Sequence, residues 1–105
     1  MAETYKKLAQ TLVDSSNETL YTVPANTTTI IRSMRVVNTT GTAATIKLFH
    51  DGTATSNMIL PFVTVAGNGW ADFDGTIIME AADTLIGISG TQNVLNITVY
   101  GLELT

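Results

Sequence analysis

The side chains that could do chemistry are few and scattered. His50 is the one histidine, and there is no cysteine. A catalytic transition-metal site is usually built on several imidazoles or thiolates with a carboxylate, which one histidine cannot supply. His50 also precedes Asp51-Gly52, a hairpin signal, and so reads as a solvated strand-end residue. Asp72-Phe73-Asp74-Gly75 partly matches a calcium-binding loop. Aligning Gly75 with the invariant loop glycine puts Trp70 at the first ligand position and Ala81 at the last. Both are wrong, and Glu80 misses by one. A solvated edge is the simpler reading, with a calcium site completed by another loop or another subunit as the alternative. Ser89, in Gly87-Ile88-Ser89-Gly90, lacks the glycine two residues on that a nucleophile elbow needs, because position 91 is Thr. Among Asp51, Asp72, Asp74 and Asp83, no spacing singles out a glycosidase-like pair. We therefore expect no catalytic residue, no metal-ligand set and no cofactor.

Trp70 is the side chain with the most recognition chemistry. Strict alternation would put Trp70, Asp72 and Asp74 on one polar face and leave the indole partly exposed. Core packing and a subunit contact compete evenly for it, and stacking on a sugar comes third. N-x-T sequons occur at Asn17, Asn26, Asn38 and Asn96. They read as by-products of Asn and Thr richness, since the opening Met1–Leu8 has no apolar core of a secretory signal.

The elements that must carry these residues are β nearly throughout. Ala44, Ile46 and Leu48 alternate with Thr45 and Lys47, the period of a half-buried strand. Residues 29–38 are rich in β-branched side chains and read as a long strand. Its apolar residues fall on both faces: Ile30, Met34 and Val36 on one, Ile31 and Val37 on the other. One side is thus expected to pack at an interface. Residues 57–65 form a further strand, with Pro61 implying an edge or a bulge. A strand over 70–80 is interrupted at Asp74-Gly75. Ile86 and Ile88 share a face in 84–89, and Leu95, Ile97 and Val99 share one in the last strand. Gly101 is expected to mark a bulge, after which the apolar set shifts to Leu102 and Leu104. Turn signals at short, even intervals point to one all-β domain over 1–105, an antiparallel β-sandwich of jelly-roll type with about eight strands. Residues 5–12 are ambiguous: Tyr5, Leu8, Ala9 and Leu12 fall at helical spacing, while Leu8, Gln10 and Leu12 partly fit a strand.

Charged residues are 13 % of the chain and hydrophobic ones 45 %, against about 25 % charge in an average soluble domain. Such a chain has little charge with which to cover its outside. That fits a subunit that shares its surface with neighbours, because unpaired charge is costly to desolvate at an interface centre. The formal net charge is −4, and Lys6-Lys7 is the one basic pair. No basic stripe is present to displace counterions, so nucleic-acid binding is not expected. No apolar run approaches the roughly 20 residues of a membrane-spanning helix, so no membrane partner is expected either.

The stretch Leu20-Tyr21-Thr22-Val23-Pro24-Ala25-Asn26-Thr27-Thr28 resembles a recurrent opening in small virion structural proteins of tailed bacteriophages, the capsid decoration or cement-like β-sandwich family. As in those proteins, a strand ending in Val36-Val37-Asn38 and a Thr/Gly/Ala turn follow. Ala82-Asp83-Thr84-Leu85-Ile86 and the closing Val99-Tyr100-Gly101-Leu102-Glu103 are also similar, although Ala82 stands where the family usually has Gly. The resemblance spans about residues 7 to 104. It implies a strand across Lys7–Gln10 in place of a helix, and no catalysis. It implies homo-oligomers, often trimers, with the major capsid protein or other virion proteins as partners. It places the protein in the virion, on the capsid exterior, after synthesis in the host bacterial cytoplasm. The expected contact surfaces are the N-terminal segment 1–18 and the Trp70 region, with Tyr5, Leu8, Leu12, Trp70 and Phe73 as candidate interface residues. The alternative is a tail, neck, baseplate or fibre component with a glycan-binding face around Trp70, Asp72 and Asp74.

Overall fold

The computed structural model describes residues 3–105, with side-chain burial from Tyr5 onward. Eight strands run β1 (Glu3–Leu12), β2 (Glu18–Thr22), β3 (Thr28–Asn38), β4 (Ala44–His50), β5 (Met58–Val65), β6 (Trp70–Met79), β7 (Thr84–Ser89) and β8 (Leu95–Leu104). One 3-10 turn, Thr55–Asn57, precedes β5. The strands form two antiparallel four-stranded sheets, ordered β1-β8-β3-β6 and β2-β7-β4-β5. This is the strand order of a jelly roll. Among the described residues no helix is long and apolar enough to cross a membrane.

The core lies between the sheets, built from alternate residues of each strand. Ile46, Leu48, Leu85, Leu95, Ile97 and Val99 are fully buried there. The expected inward sets of β4 and β8 are therefore the observed ones. Pro61 lies in β5, an edge strand whose pairing with β4 is irregular, where its missing N–H costs least.

Bulges account for the departures from simple alternation. In β1 the pairing with β8 skips Leu8, and in β3 the pairing skips Arg32. Opposite Arg32, β6 skips Gly75 and Thr76. The extra residue in β3 changes its phase: Ile31, Met34 and Val36 are buried, whereas Ile30 and Val37 turn outward. The expected grouping of Ile30 with Met34 and Val36 is corrected on this ground. Gly101 is likewise not the bulged residue. β8 runs through without an insertion, and its neighbours bulge beside it. A Cβ on Gly101 would sit 2.2 Å from the Ile30 carbonyl oxygen and 3.0 Å from Leu8 Cδ1. Glycine is required there by this close backbone approach.

Polar side chains close both ends of the sandwich. Tyr21 Oη from β2 donates to Glu103 Oε2 of β8 at 2.5 Å and lies 2.8 Å from Thr29 Oγ1 of β3. Lys6 Nζ reaches the other Glu103 oxygen at 3.0 Å. Burial and the Glu103 hydrogen bond push the Tyr21 phenol up to about 12, and the Tyr21 and Lys6 hydrogen bonds hold Glu103 below its ordinary range. At the other end Asn38, 2 % exposed, donates to the carbonyls of Thr42 and Val65 and accepts from Thr40 N and Oγ1. It thereby braces the turn between β3 and β4. Ala82 takes a left-handed φ of 71° before β7, the conformation for which glycine is the easy choice.

Candidate association surface

The outer face of the β1-β8-β3-β6 sheet gathers most of the exposed apolar side chains. Among the described residues the large hydrophobics exposed to solvent are Tyr5, Leu12, Val37, Ile59, Phe62, Trp70, Ile78 and Tyr100. All but Ile59 and Phe62, which belong to β5, lie on this face. The strand register arranges them in rows across the sheet. Tyr5, Leu102, Ile30 and Ile78 form one terminal row. Leu12, Asn96, Val37 and Trp70 form the other. Between them run two polar rows, Lys7-Tyr100-Ser33-Asp74 and Gln10-Thr98-Arg35-Asp72. Leu102 is 5 % exposed although it is outside the inter-sheet core, flanked by Tyr5 and Ile30 in its row.

Exposure at the terminal rows is large: 74 % for Tyr5, 60 % for Ile78 and 65 % for Trp70. Large apolar groups concentrated on one sheet face, with an ion pair at mid-height, make up the composition of a protein–protein contact. The ion pair is Arg35 with Asp72, bidentate at 2.7 and 2.8 Å. Its hydrogen bonds hold the Asp72 carboxyl below its ordinary range. Asp74, beside it, has no hydrogen-bond or ion-pair partner among the described residues. Across the face the charge runs from Lys7 on β1, through Arg32 and Arg35 on β3, to Asp72 and Asp74 on β6.

Of the candidate interface residues, Tyr5, Leu12 and Trp70 come together on this face. Leu8 and Phe73 do not. Both are half-buried and pack against the core: Leu8 is the bulged residue of β1 and turns inward beside Ala9, and Phe73 alternates inward between Asp72 and Asp74. Val37, Ile78 and Tyr100 join the surface through register. The segment proposed as an N-terminal contact arm is, from Glu3 to Leu12, an edge strand of the same sheet.

The remaining chemical candidates have structural partners. His50 Nε2 lies 3.0 Å from Asp83 Oδ2, which also accepts from Glu80 N. These bonds hold the Asp83 carboxyl below its ordinary range. His50 is thus half-buried and paired, where the sequence reading has it solvated. Ser89 is 1 % exposed, donates to Thr91 O and accepts from Thr91 N, so its hydroxyl closes a turn. Asn38, one of the sequon asparagines, is buried and fully bonded, out of reach of glycan attachment in the folded chain. Among the described residues no group of three or more His, Asp or Glu could hold a metal ion. A cleft of about 430 Å³ opens between β5 and β6, lined by Ile31, Met34, Leu60, Phe73 and Ile77 among others. It is the open side of the sandwich.

No protein-family model and no curated protein matches this chain. Solved structures share its fold at low identity. A subunit of the Bacillus endospore appendages, a family of disulfide-linked pili, superposes with a TM-score of 0.62 at 16 % identity, over 99 % of this chain and 88 % of that one. A chain from the capsid of Helicobacter pylori bacteriophage KHP30 also scores 0.62, at 11 % identity, over 100 % of this chain and 89 % of that one. The Drosophila NLP core, described for its pentamer formation and histone binding, scores 0.52 at 7 % identity, over 95 % of this chain and all of that one. These likenesses establish a common two-sheet fold, the one found in a phage capsid chain and in a pilus subunit.

Proposed function

We propose that this protein is a structural subunit of a tailed-bacteriophage virion, a decoration protein that self-associates and cements the capsid from outside. The observation that carries the reading is the outer face of the β1-β8-β3-β6 sheet, where Tyr5, Leu12, Trp70 and Ile78 stand exposed in two terminal rows on either side of a polar band. A chain this poor in charge stays soluble more easily once such a face is covered. The fold shared with a phage capsid chain supports the assignment, as does the resemblance of residues 20–28 and 99–103 to phage virion proteins. The resemblance implies a trimer at junctions between capsomers, docked on the major capsid protein. A cement protein acts by mass action, since it binds the assembled shell and not the loose subunits. The chain has no cysteine, so it cannot form disulfide links of the kind named for the spore pili. Its contacts would be non-covalent.

The exposed indole of Trp70 also suits sugar stacking, and a tail, neck, baseplate or fibre position with a glycan-binding face is the second reading. Copy number separates the two. Quantitative mass spectrometry of purified particles is expected to find the protein at copy numbers comparable with the major capsid protein. Stripped shells should regain thermal stability when it is added back. A few tens of copies, together with Trp70-dependent binding on a glycan array, would move the assignment to the tail.

A further inference from the structure

The row pattern on the outer face is self-complementary under one symmetry operation. We propose that two copies of this chain pair face to face through the β1-β8-β3-β6 sheet, about a two-fold axis parallel to the strands. The proposal rests on the reading above only in taking this face as a contact surface.

An axis parallel to the strands, lying between two stacked sheets, leaves every row facing its own row and reverses the strand order. β1 then faces β6 of the second copy, and β8 faces β3. In the first apolar row Tyr5 meets Ile78, and in the last Leu12 meets Trp70. In the polar row between them Lys7 meets Asp74, a carboxylate on this face that has no partner among the described residues of its own copy. The Arg35–Asp72 pair is already neutralised and lies against Thr98 and Gln10. By symmetry each of these contacts occurs twice, as an isologous interface requires. The other face-to-face two-fold, perpendicular to the strands, sets β6 against itself and brings Asp74 opposite Asp72, and it separates Lys7 from any acid. Aligned stacking is also a standard way for twisted sheets to pack. The size suffices: four strands of about ten residues present roughly 19 by 34 Å, or about 650 Å² per copy, near the lower end of stable interfaces.

The test uses sedimentation velocity on the purified full chain. The wild type is expected to sediment as a dimer. Lys7→Asp and Asp74→Lys should each weaken association at least tenfold by placing like charges opposite one another twice. The double variant should recover to within about threefold of wild type, since the pair is restored with its signs exchanged. Cross-linking gives a second readout, because the chain has no cysteine of its own. In one copy Lys7 and Asp74 are three strand spacings apart, about 14 Å. The variant carrying both Lys7→Cys and Asp74→Cys should therefore be joined between copies by a short bis-maleimide, while Lys7→Cys alone is not. A wild-type monomer near millimolar concentration would overturn the proposal. So would a trimer insensitive to both charge changes, or a double variant as weak as the singles. The trimer would leave the virion assignment standing, whereas a charge-sensitive dimer absent from phage particles would sink that assignment and keep the contact.

Discussion

Replacing Gly101 by alanine probes the joint where three strands lock together. The new Cβ would lie 2.2 Å from the Ile30 carbonyl oxygen, 3.0 Å from Ile31 Cα and 3.0 Å from Leu8 Cδ1. An ordinary contact needs a little over 3 Å, so β3 or β8 must move by about 1 Å at a point where both are hydrogen-bonded on two sides. Overpacking costs typically 1–3 kcal/mol, and backbone yields less readily than a side-chain tip, so about 3 kcal/mol is expected. At about 2.1 cal/mol/K of unfolding entropy per residue, this chain carries about 0.22 kcal/mol/K, and Tm should fall by roughly 14 °C. Gly41→Ala is the control. Its nearest neighbour would be Asn68 Nδ2 at 3.7 Å, and Tm should stay within about 2 °C. Thermal unfolding followed by circular dichroism at neutral pH reads both. If Gly101→Ala melts within about 3 °C of wild type, the close backbone approach at Gly101 is wrong.

Ala82→Gly should stabilise the protein by about 0.5–1 kcal/mol, raising Tm by about 2–5 °C, because it relieves a left-handed alanine. Calorimetry checks it, and a lower Tm would contradict the turn geometry. Asn38→Ala should cost about 2–4 kcal/mol in denaturant unfolding, since the Thr42 and Val65 carbonyls and the Thr40 amide lose their partner at a buried site. The Tyr21–Glu103 pair predicts a pH profile. Glu103 is depressed in the folded state, so its contribution is complete above the usual carboxylate range and fades as pH falls through the lower folded value. Tyr21 is raised to about 12, so its contribution is complete below the usual phenol value and fades as pH rises from 10 through 12. The stability gap between wild type and Glu103→Gln should therefore close in acid, and that between wild type and Tyr21→Phe should close in alkali. Gaps constant with pH in denaturant melts would refute the linkage.

Much of the fold is legible in the residues. β4 and β8 alternate cleanly because each packs one face on the core over its central length, and Asp51-Gly52 and Gly67-Asn68-Gly69 mark real turns. Failures cluster at the bulges. Tyr5, Leu8, Ala9 and Leu12 imitate a helix because one inserted residue turns Leu8 and Ala9 inward together and leaves Tyr5 and Leu12 outside, producing helical spacing in a strand. The same cause regroups Ile30 and Ile31. β2 is short and half-exposed along its length, so it carries no periodic signal at all. At the surface, alternation around Trp70 is enough to find an exposed indole. Its row-mates are not findable that way: Val37 faces Trp70, and Ile78 faces Ile30, only because the register fixes cross-strand neighbours. Single-strand patterns carry no information about register.

The proposed function turns on the outer β1-β8-β3-β6 face making the contacts that would hold this protein in a virion. Trp70→Ser tests it most directly, since the indole is 65 % exposed and its loss removes contact area without opening the core. Occupancy on purified particles, measured by quantitative mass spectrometry beside the melting temperature of the free variant, gives the answer. The account predicts an unchanged Tm and at least a tenfold loss of occupancy, the scale of an aromatic hot spot. Wild-type occupancy with a folded Trp70→Ser protein would contradict it.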